Sequence, residues 1–191
     1  MKNQRAFIKQ LKRGQVYRRS ELAQWSRAID RTLAELVENG TLQKVSPGLY
    51  YYPDESTFGK VPPDETALVR SFLKDDRFLI TSPNAYNGLG VGTTQLYNKA
   101  TVYNHKRHGD FKLGNRVYQF QMKHHFPNTL SNEFLLVDLV NNLNKLAEEP
   151  VAVLKNVAVK VQEMDQKKIA RSLKAYGSLK TQKILSPLLT S

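Results

Sequence analysis

Two arginines and an aspartate lie close together in the segment SRAIDRTLAELVENG, residues 26–40, and their spacing suits contact with the edges of DNA bases. Arg27 and Arg31 are four residues apart and would share one face of a helix, where each could bind a guanine through two hydrogen bonds. Asp30 between them could accept a hydrogen bond from cytosine or hold an arginine in position. Ser26 and the first amides of the helix suit a phosphate. The predicted chemistry is recognition of double-stranded DNA.

Basic and turn residues on either side of this segment extend the predicted surface. One group opens the preceding helical segment, where phosphates of the DNA backbone usually lie. The other group lies at a predicted hairpin, whose tip Ser-Pro-Gly suits a turn because proline fixes φ and glycine permits positive φ. The predicted DNA-binding residues are Arg18, Arg19, Ser20, Ser26, Arg27, Asp30, Arg31, Lys44, Ser46, Pro47 and Gly48. The alternative interpretation is that the same surface contacts a protein.

The other patterns that could carry chemistry favour neither catalysis nor metal binding. Gly88, Gly90 and Gly92 form G-x-G-x-G, which lacks the spacing and the preceding strand of a dinucleotide fingerprint, so a packed turn is the better interpretation. The histidine pairs 105/108 and 124/125 lie on a predicted hairpin tip and on opposite sides of a strand, and neither arrangement suits chelation. The chain has no cysteine, which excludes disulfides, thiolate zinc sites and cysteine nucleophiles. We expect no cofactor, no metal and no enzymatic activity.

The elements that position the predicted DNA-binding residues follow from apolar periodicity in residues 1–53. Residues 3–13 predict a helix that stops at Gly14, and Ser20 and Ser26 are expected to cap a second and a third helix. The third helix has one apolar stripe, formed by Ile29, Leu33, Leu36 and Val37. TLQKV and LYYYP are β-type runs around the Ser-Pro-Gly turn and predict a hairpin. Three helices followed by a hairpin is the order of a winged helix-turn-helix.

The rest of the chain predicts a second domain. Residues 54–63 are polar and rich in proline and glycine, which is typical of a linker. Residues 64–191 predict an antiparallel meander at about 99–123 and helices at about 131–189. Residues 151–161 fit both the alternation of a strand and the spacing of a helix, and we favour the helix. The predicted fold class is α+β: an N-terminal winged helix-turn-helix, then a small antiparallel β-meander domain with a helical C-terminal tail.

The charge of the chain favours a polyanionic partner. It contains 29 lysines and arginines against 17 acidic residues, for a net charge of +12 and a pI near 9.8. Residues 1–27 hold eight basic residues and one acidic residue. Such a surface releases counterions from phosphates, although it could also serve solubility alone. No apolar run approaches 18 residues and the first residues lack the apolar core of a signal peptide, so we expect no membrane partner and a cytoplasmic location.

Residues 26–53, SRAIDRTLAELVENGTLQKVSPGLYYYP, resemble the winged-helix domain of AbiEi-type abortive-infection antitoxins of type IV toxin–antitoxin systems, in particular their shorter prokaryotic relatives. The resemblance continues through VPPDE, AYNGLGVGTTQLYNKATVYN, FKLGNRVYQFQ, LLVDLVNNL and YGSLKTQKILSPLL, in the family's order. It therefore covers most of the chain. It implies that Ser26-Arg27-Ala28 and the turn at residues 46–48 are the DNA-reading parts.

The resemblance also implies a function in two parts. The winged helix would bind operator repeats in the protein's own promoter and repress it, and the C-terminal region would counteract a nucleotidyltransferase-type toxin. The expected function is that of a DNA-binding transcriptional regulator and type IV antitoxin, with double-stranded DNA and such a toxin as partners. The alternatives are a winged-helix protein-interaction adaptor and a stand-alone transcriptional regulator without a toxin partner.

Overall fold

The computed structural model describes residues 2–189, and the chain in it divides into two compact units. The first unit comprises the residues up to Asp76 together with Asp110–Tyr118. The second comprises Arg77–Gly109 and the residues from Gln119 onward. The first unit therefore extends beyond residue 53, where the sequence placed the end of the N-terminal domain. The predicted α+β class holds at the level of mixed helices and small antiparallel sheets.

The first unit begins with three helices and one short strand, which lies between the first and the second helix. Its elements are α1 (Lys2–Ile8), β1 (Gln15–Arg18), α2 (Arg19–Leu22), a 3-10 turn (Ala23–Trp25), α3 (Ile29–Glu38), β2 (Gln43–Ser46), β3 (Leu49–Tyr52), β4 (Glu55–Ser56), β5 (Gly59–Lys60) and α4 (Glu65–Leu73). The strands β1, β3 and β2 form an antiparallel sheet in that order, with Tyr51 of β3 opposite both Val16 and Gln43. The predicted hairpin is therefore β2–β3, and β1 is an additional strand that the sequence analysis did not predict.

The two predicted serine caps in this unit are wrong. Ser20 lies inside α2, and the cap position is Arg18, whose main-chain N–H donates to Oε2 of Glu21 at 2.8 Å. Helix α3 begins at Ile29, three residues after Ser26. The hydroxyl of Ser26 instead forms a hydrogen bond with that of Thr32, at 3.1 Å. Ser26 therefore bonds to a side chain in the first turns of α3 and does not cap its main-chain N–H groups.

The apolar stripe predicted for the third helix is confirmed. Ile29, Leu33 and Leu36 are buried, and Val37 is half-buried against the same cluster. The other buried members of this core are Phe7, Leu11, Leu22 and Leu42. Because one side of α3 is fixed in this core, the opposite side must face outward.

The predicted linker, residues 54–63, contains a small hairpin formed by β4 and β5. Ser56 hydroxyl bonds close its turn, and Phe58 at the tip is fully exposed. Helix α4 follows and is capped by the carboxylate of Asp64, which accepts from the N–H of Ala67 at 2.7 Å. The segment is thus a folded connection within the first unit.

The remaining elements include a four-stranded sheet and four further α-helices. They are β6 (Phe78–Thr81), a 3-10 segment (Pro83–Leu89), β7 (Ala100–Asn104), β8 (Gly109–Leu113), β9 (Arg116–Met122), α5 (Asn132–Asn142), α6 (Pro150–Glu163), α7 (Gln166–Tyr176) and α8 (Leu179–Leu185). The sheet order is β6-β7-β9-β8, so β6 joins the predicted meander as a fourth strand. Residues 151–161 lie in α6, which confirms the helix.

Candidate nucleic-acid interface

The outward side of α3 begins with exposed polar residues at its N-terminal end. Asp30 and Arg31 lie in the first turn, and Arg27 is exposed in the turn just before the helix. Ala34, one turn further along, is also exposed, and its small side chain leaves the middle of this face open. The three residues from which the DNA-binding prediction starts, Arg27, Asp30 and Arg31, are therefore on the surface of the first unit.

Asp30 holds an arginine in position, one of the two roles considered from the sequence. The arginine is Arg19 of α2, whose Nε and Nη2 donate to the two carboxylate oxygens at 2.6 Å each. This hydrogen bonding from Arg19 keeps the pKa of the Asp30 carboxyl below its usual range. The main-chain N–H of Arg19 donates to the carbonyl of Gly48 at 2.9 Å. One arginine thus links α2, the first turn of α3 and the turn between β2 and β3.

Arg31 is also paired, but it stays accessible. Its Nε donates to Oε1 of Glu35 at 3.0 Å, and its side chain is 84% exposed. Glu35 also accepts from the side chain of Gln4 on α1. The bonds from Arg31 and then Gln4 lower the pKa of Glu35. Since the ion pair uses Nε, the two terminal amino groups of Arg31 lie outside it.

Arg27 and Lys44 are the exposed cations of the predicted set that make no hydrogen bond or ion pair within residues 2–189. Arg18 differs, because it is half-buried and turned toward α4. Its Nε donates to the carbonyl of Ser71 at 2.9 Å, and its Nη1 lies 3.4 Å from Glu21. We therefore remove Arg18 from the candidate phosphate contacts and assign it to holding α4 against β1.

The turn between β2 and β3 is exposed at Pro47 and Gly48. Gly48 has φ +71°, and a Cβ added there would meet nothing within 4 Å, so glycine serves the backbone conformation alone. The strand register shifts between Lys44 and Ser46, which leaves Lys44 exposed, Val45 buried and Ser46 half-buried. Lys44 and the turn can therefore meet a partner, while Ser46 lies partly behind them.

A groove of about 770 Å³ runs beside this end of α3. Arg27 and Arg31 line it together with Trp25, Gln4 and Gln10. Gln4 lies on α1 and Gln10 in the turn after it, and neither was among the predicted site residues. Their only sequence signal is a spacing of six residues around buried Phe7, which is too common to be diagnostic.

Residues 4–178 match the family model of DUF6088, described as a family of unknown function. The chain belongs to the DUF6088 family. No curated protein matches it. The crystal structure of the Rv2827c protein from Mycobacterium tuberculosis is similar over 98% of this chain and 74% of its own, with a TM-score of 0.61 and 15% identity. At this identity the likeness establishes a shared fold and carries no information about activity.

The glycine-rich segment and His105 make contacts within this DUF6088 chain. The 3-10 segment that contains Gly88 ends at Leu89 and is followed by Gly90 as its cap, and the carboxylate of Glu148 accepts from the main-chain N–H groups of Thr94 and Gln95 in the next loop. His105 stacks on Phe126 with ring centroids 4.8 Å apart. Within residues 2–189 no three His, Asp or Glu side chains are grouped so that they could hold a metal. Across the same residues, every helix is too short or too polar to cross a membrane.

Proposed function

We propose that this DUF6088 protein is a DNA-binding transcriptional regulator whose first unit is a winged helix-turn-helix. The element order α1-β1-α2-α3-β2-β3 and the strand order β1-β3-β2 support this assignment. The observation that carries the proposal is the link through Arg19. It joins the exposed first turn of α3 to the exposed turn at Gly48, so that a helix and a wing are presented together.

The exposed cations suggest how DNA would be bound. Arg27 and Arg31 flank the start of α3, which is the part of a recognition helix that contacts base edges. Lys44 lies beside the wing turn and would neutralise a backbone phosphate. Arg19 is exposed but paired with Asp30, so in the unmodified protein it orients the first turn of α3 and does not neutralise a phosphate.

The antitoxin part of the proposal rests on the resemblance of segments from VPPDE to YGSLKTQKILSPLL. On that basis the protein represses its own promoter, and its C-terminal region counteracts a nucleotidyltransferase-type toxin. A gene for such an enzyme beside this one should suppress growth when expressed alone, and coexpression of this protein should restore growth. Continued toxicity at matched expression would favour the stand-alone regulator.

One observation favours the second candidate, a protein-interaction adaptor. Helix α3 holds three acidic residues, Asp30, Glu35 and Glu38, against the single basic residue Arg31. An acidic C-terminal half repels phosphates and would suit a basic protein surface. The experiment below separates the two functions because only one of them depends on DNA sequence.

Fluorescence anisotropy with a labelled duplex from the gene's own upstream region, titrated from about 50 to about 200 mM NaCl, tests DNA reading. The double variant Arg27→Ala/Arg31→Ala should lose most of its preference over a shuffled duplex, since each base contact contributes about 1–3 kcal/mol. The matched control Lys167→Ala/Arg171→Ala removes two exposed charges from α7 and should keep the preference. If the unmodified protein binds both duplexes equally, or if the two double variants weaken binding alike, the reading role is refuted.

A further inference from the structure

A second groove of the first unit has a volume of about 720 Å³ and shares only Lys44 with the proposed DNA contacts. Its walls are β2, the segment from Lys60 to Pro63, the start of α4 and the β8–β9 turn. The volume falls within the range of small-molecule sites, about 300–1,000 Å³. The groove is therefore large enough for an organic ligand.

The floor of this groove is apolar. The buried side chains that line it are Leu42, Val45, Leu68, Leu113 and Tyr118, each at most 6% exposed. Val61, Pro62 and Pro63 add apolar surface nearer the opening. A ligand would therefore place an apolar body on this floor.

The charges around the groove are unequal. Lys44, Lys60 and Arg116 line it against a single acid, Glu65, which accepts from Nη1 of Arg116 at 2.7 Å. Lys60 donates to the carbonyl of Gly40, which is a neutral acceptor. Two positive charges are thus left uncompensated by the acid that lines the groove.

Tyr118 adds a neutral hydroxyl at the Arg116–Glu65 pair. Its ring is buried, and the Arg116 guanidinium lies 5.7 Å from the ring centroid. Burial, together with Glu65, raises the pKa of Tyr118 to about 12, so the phenol stays protonated at neutral pH. The polar residues that line the groove therefore carry a net positive charge, and the Tyr118 phenol adds no negative charge to it.

We propose that this groove binds a small amphipathic organic anion, with its apolar body on the Leu42–Leu68–Leu113 floor and its acidic group between Arg116 and Lys44. An apolar pocket with a few polar groups converging at one end is the usual form of such sites. Charge complementarity selects an anion over a neutral or cationic molecule of the same shape.

The site also has a physical route to the DNA-binding surface, and this part rests on the proposed function. Lys44 lines the groove and belongs to the wing strand β2. The carbonyl of Val45, the next residue, accepts from the N–H of Gly114 at 2.7 Å, which ties the wing to the β8–β9 turn. An anion paired with Lys44 would remove one phosphate contact and lower DNA affinity.

Dye binding to the full chain tests the site without DNA. The probe is 8-anilinonaphthalene-1-sulfonate, an amphipathic anion, and N-phenyl-1-naphthylamine is its uncharged counterpart. We expect one saturable sulfonate site per chain, about tenfold weaker in Arg116→Gln and in Lys44→Gln, because a hydrogen bond to a charged group is lost. Arg171→Gln, the same change at an exposed position on α7, should leave the dye affinity unchanged.

Three results would overturn the site: equal affinity for the charged and the neutral dye, no weakening in Arg116→Gln, or several equivalent sites per chain. Unchanged thermal melting and far-UV circular dichroism establish that each variant is folded, so that a loss of dye binding reports on the groove. Val61→Trp is a second, steric variant, which should block both dyes by filling the opening of the groove.

The DNA arm of the experiment separates this proposal from the proposed function. With saturating sulfonate dye, the Kd for the upstream duplex should rise about three- to tenfold at about 100 mM salt, the effect of one lost phosphate contact. An unchanged Kd in the presence of bound dye overturns the coupling. If the protein binds no DNA at all, the proposed function fails, whereas the dye titration still decides whether the groove binds anions.

Discussion

Removing the buried carboxylate of Asp138 should destabilise the second unit by about 3–5 kcal/mol. Asp138 lies on α5 and is fully buried. Its oxygens accept from the hydroxyls of Tyr86 and Tyr103 at 2.8 Å, and from the ammonium of Lys123 at 3.3 Å. The amide of Asn142 also donates to it at 3.3 Å. One side chain thus satisfies donors from several elements of the unit.

The magnitude follows from what Asp138→Ala leaves behind. Burial raises the pKa of Tyr86 and of Tyr103 far above the usual range, so both hydroxyls are protonated donors at neutral pH. Each buried donor that loses its acceptor costs about 1–3 kcal/mol. Lys123 also loses its counter-charge, but its side chain is 28% exposed and water can replace part of the interaction. The loss of free energy of unfolding in Asp138→Ala therefore comes mainly from the two tyrosine hydroxyls.

Urea unfolding followed by far-UV circular dichroism measures the free energy of unfolding of each variant. Fluorescence of Trp25, the single tryptophan of the chain, reports the first unit in the same samples. Asp138→Asn should cost less than Asp138→Ala, because an amide oxygen still accepts from one tyrosine. A double-mutant cycle of Asp138→Asn with Lys123→Met should give a coupling energy of about 1 kcal/mol or more, since the methionine has no charge to leave unpaired.

The control for this prediction is Glu163→Gln, which removes a carboxylate from an exposed ion pair with Lys160 on α6. Such pairs contribute about 0–1 kcal/mol, so the free energy of unfolding should change little. A cost of less than about 1 kcal/mol for Asp138→Ala would refute the reasoning. The reasoning would also be refuted if the costs of Asp138→Asn and Lys123→Met add up to the cost of the double variant within about 0.3 kcal/mol.

Three further predictions concern single positions. Gly177→Ala should lower the free energy of unfolding by about 1–3 kcal/mol, because a Cβ there would lie 2.6 Å from the carbonyl oxygen of Leu173. Glu148→Gln should flatten the decline of stability at acidic pH. Burial alone would raise the pKa of Glu148, but the amides of Gln95 and Thr94 and the Tyr97 hydroxyl lower it below the usual 4.5. Its contribution is therefore complete above pH 4.5 and is lost as the pH falls through the lowered folded-state value, which urea unfolding at stepped pH measures. Asp30→Asn should raise the affinity for any duplex, because Arg19 becomes free to neutralise a phosphate. The slope of log K against log salt concentration should then become more negative by about 0.9.

Each of these predictions has a matched comparison. Gly88→Ala is the control for Gly177→Ala, since Gly88 has open space around it, and equal costs would contradict the steric reasoning. Parallel pH profiles for the unmodified protein and Glu148→Gln would show that this carboxylate does not titrate with folding. Weaker DNA binding in Asp30→Asn would mean that orienting Arg19 matters more than releasing it.

The sequence predicts the elements whose signals are local. Ser131 and Asp165 cap α5 and α7 because each side chain accepts from a main-chain N–H three residues later, a contact that depends only on neighbouring residues. Strands β1 and β6 could not be predicted in the same way. Each has four residues, and each is a strand only because a distant partner pairs with it, such as Val102 opposite Ile80.

The candidate site shows the same division between local and distant causes. The exposure of Arg27, Arg31 and Lys44 follows from which side of each element is apolar. Arg18 is turned away from the candidate surface because it donates to the carbonyl of Ser71, 53 residues away. Arg19 is held in place by Asp30, which lies 11 residues away on another helix. Neither contact belongs to a periodic pattern of the sequence, so only the folded structure shows which arginines are accessible to a partner.

The charges along α3 determine which end of the helix can approach a phosphate backbone in the proposed complex. Its N-terminal end combines Arg27 and Arg31 with the positive end of the helix dipole. Its C-terminal half presents Glu35 and Glu38, which phosphates repel. The helix must therefore enter a groove by its first turn, and the Arg19 link then places the wing turn at Gly48 beside the same stretch of DNA. Counted alone, the acidic residues favour a protein-interaction adaptor. In this geometry they would restrict how the helix is oriented on DNA.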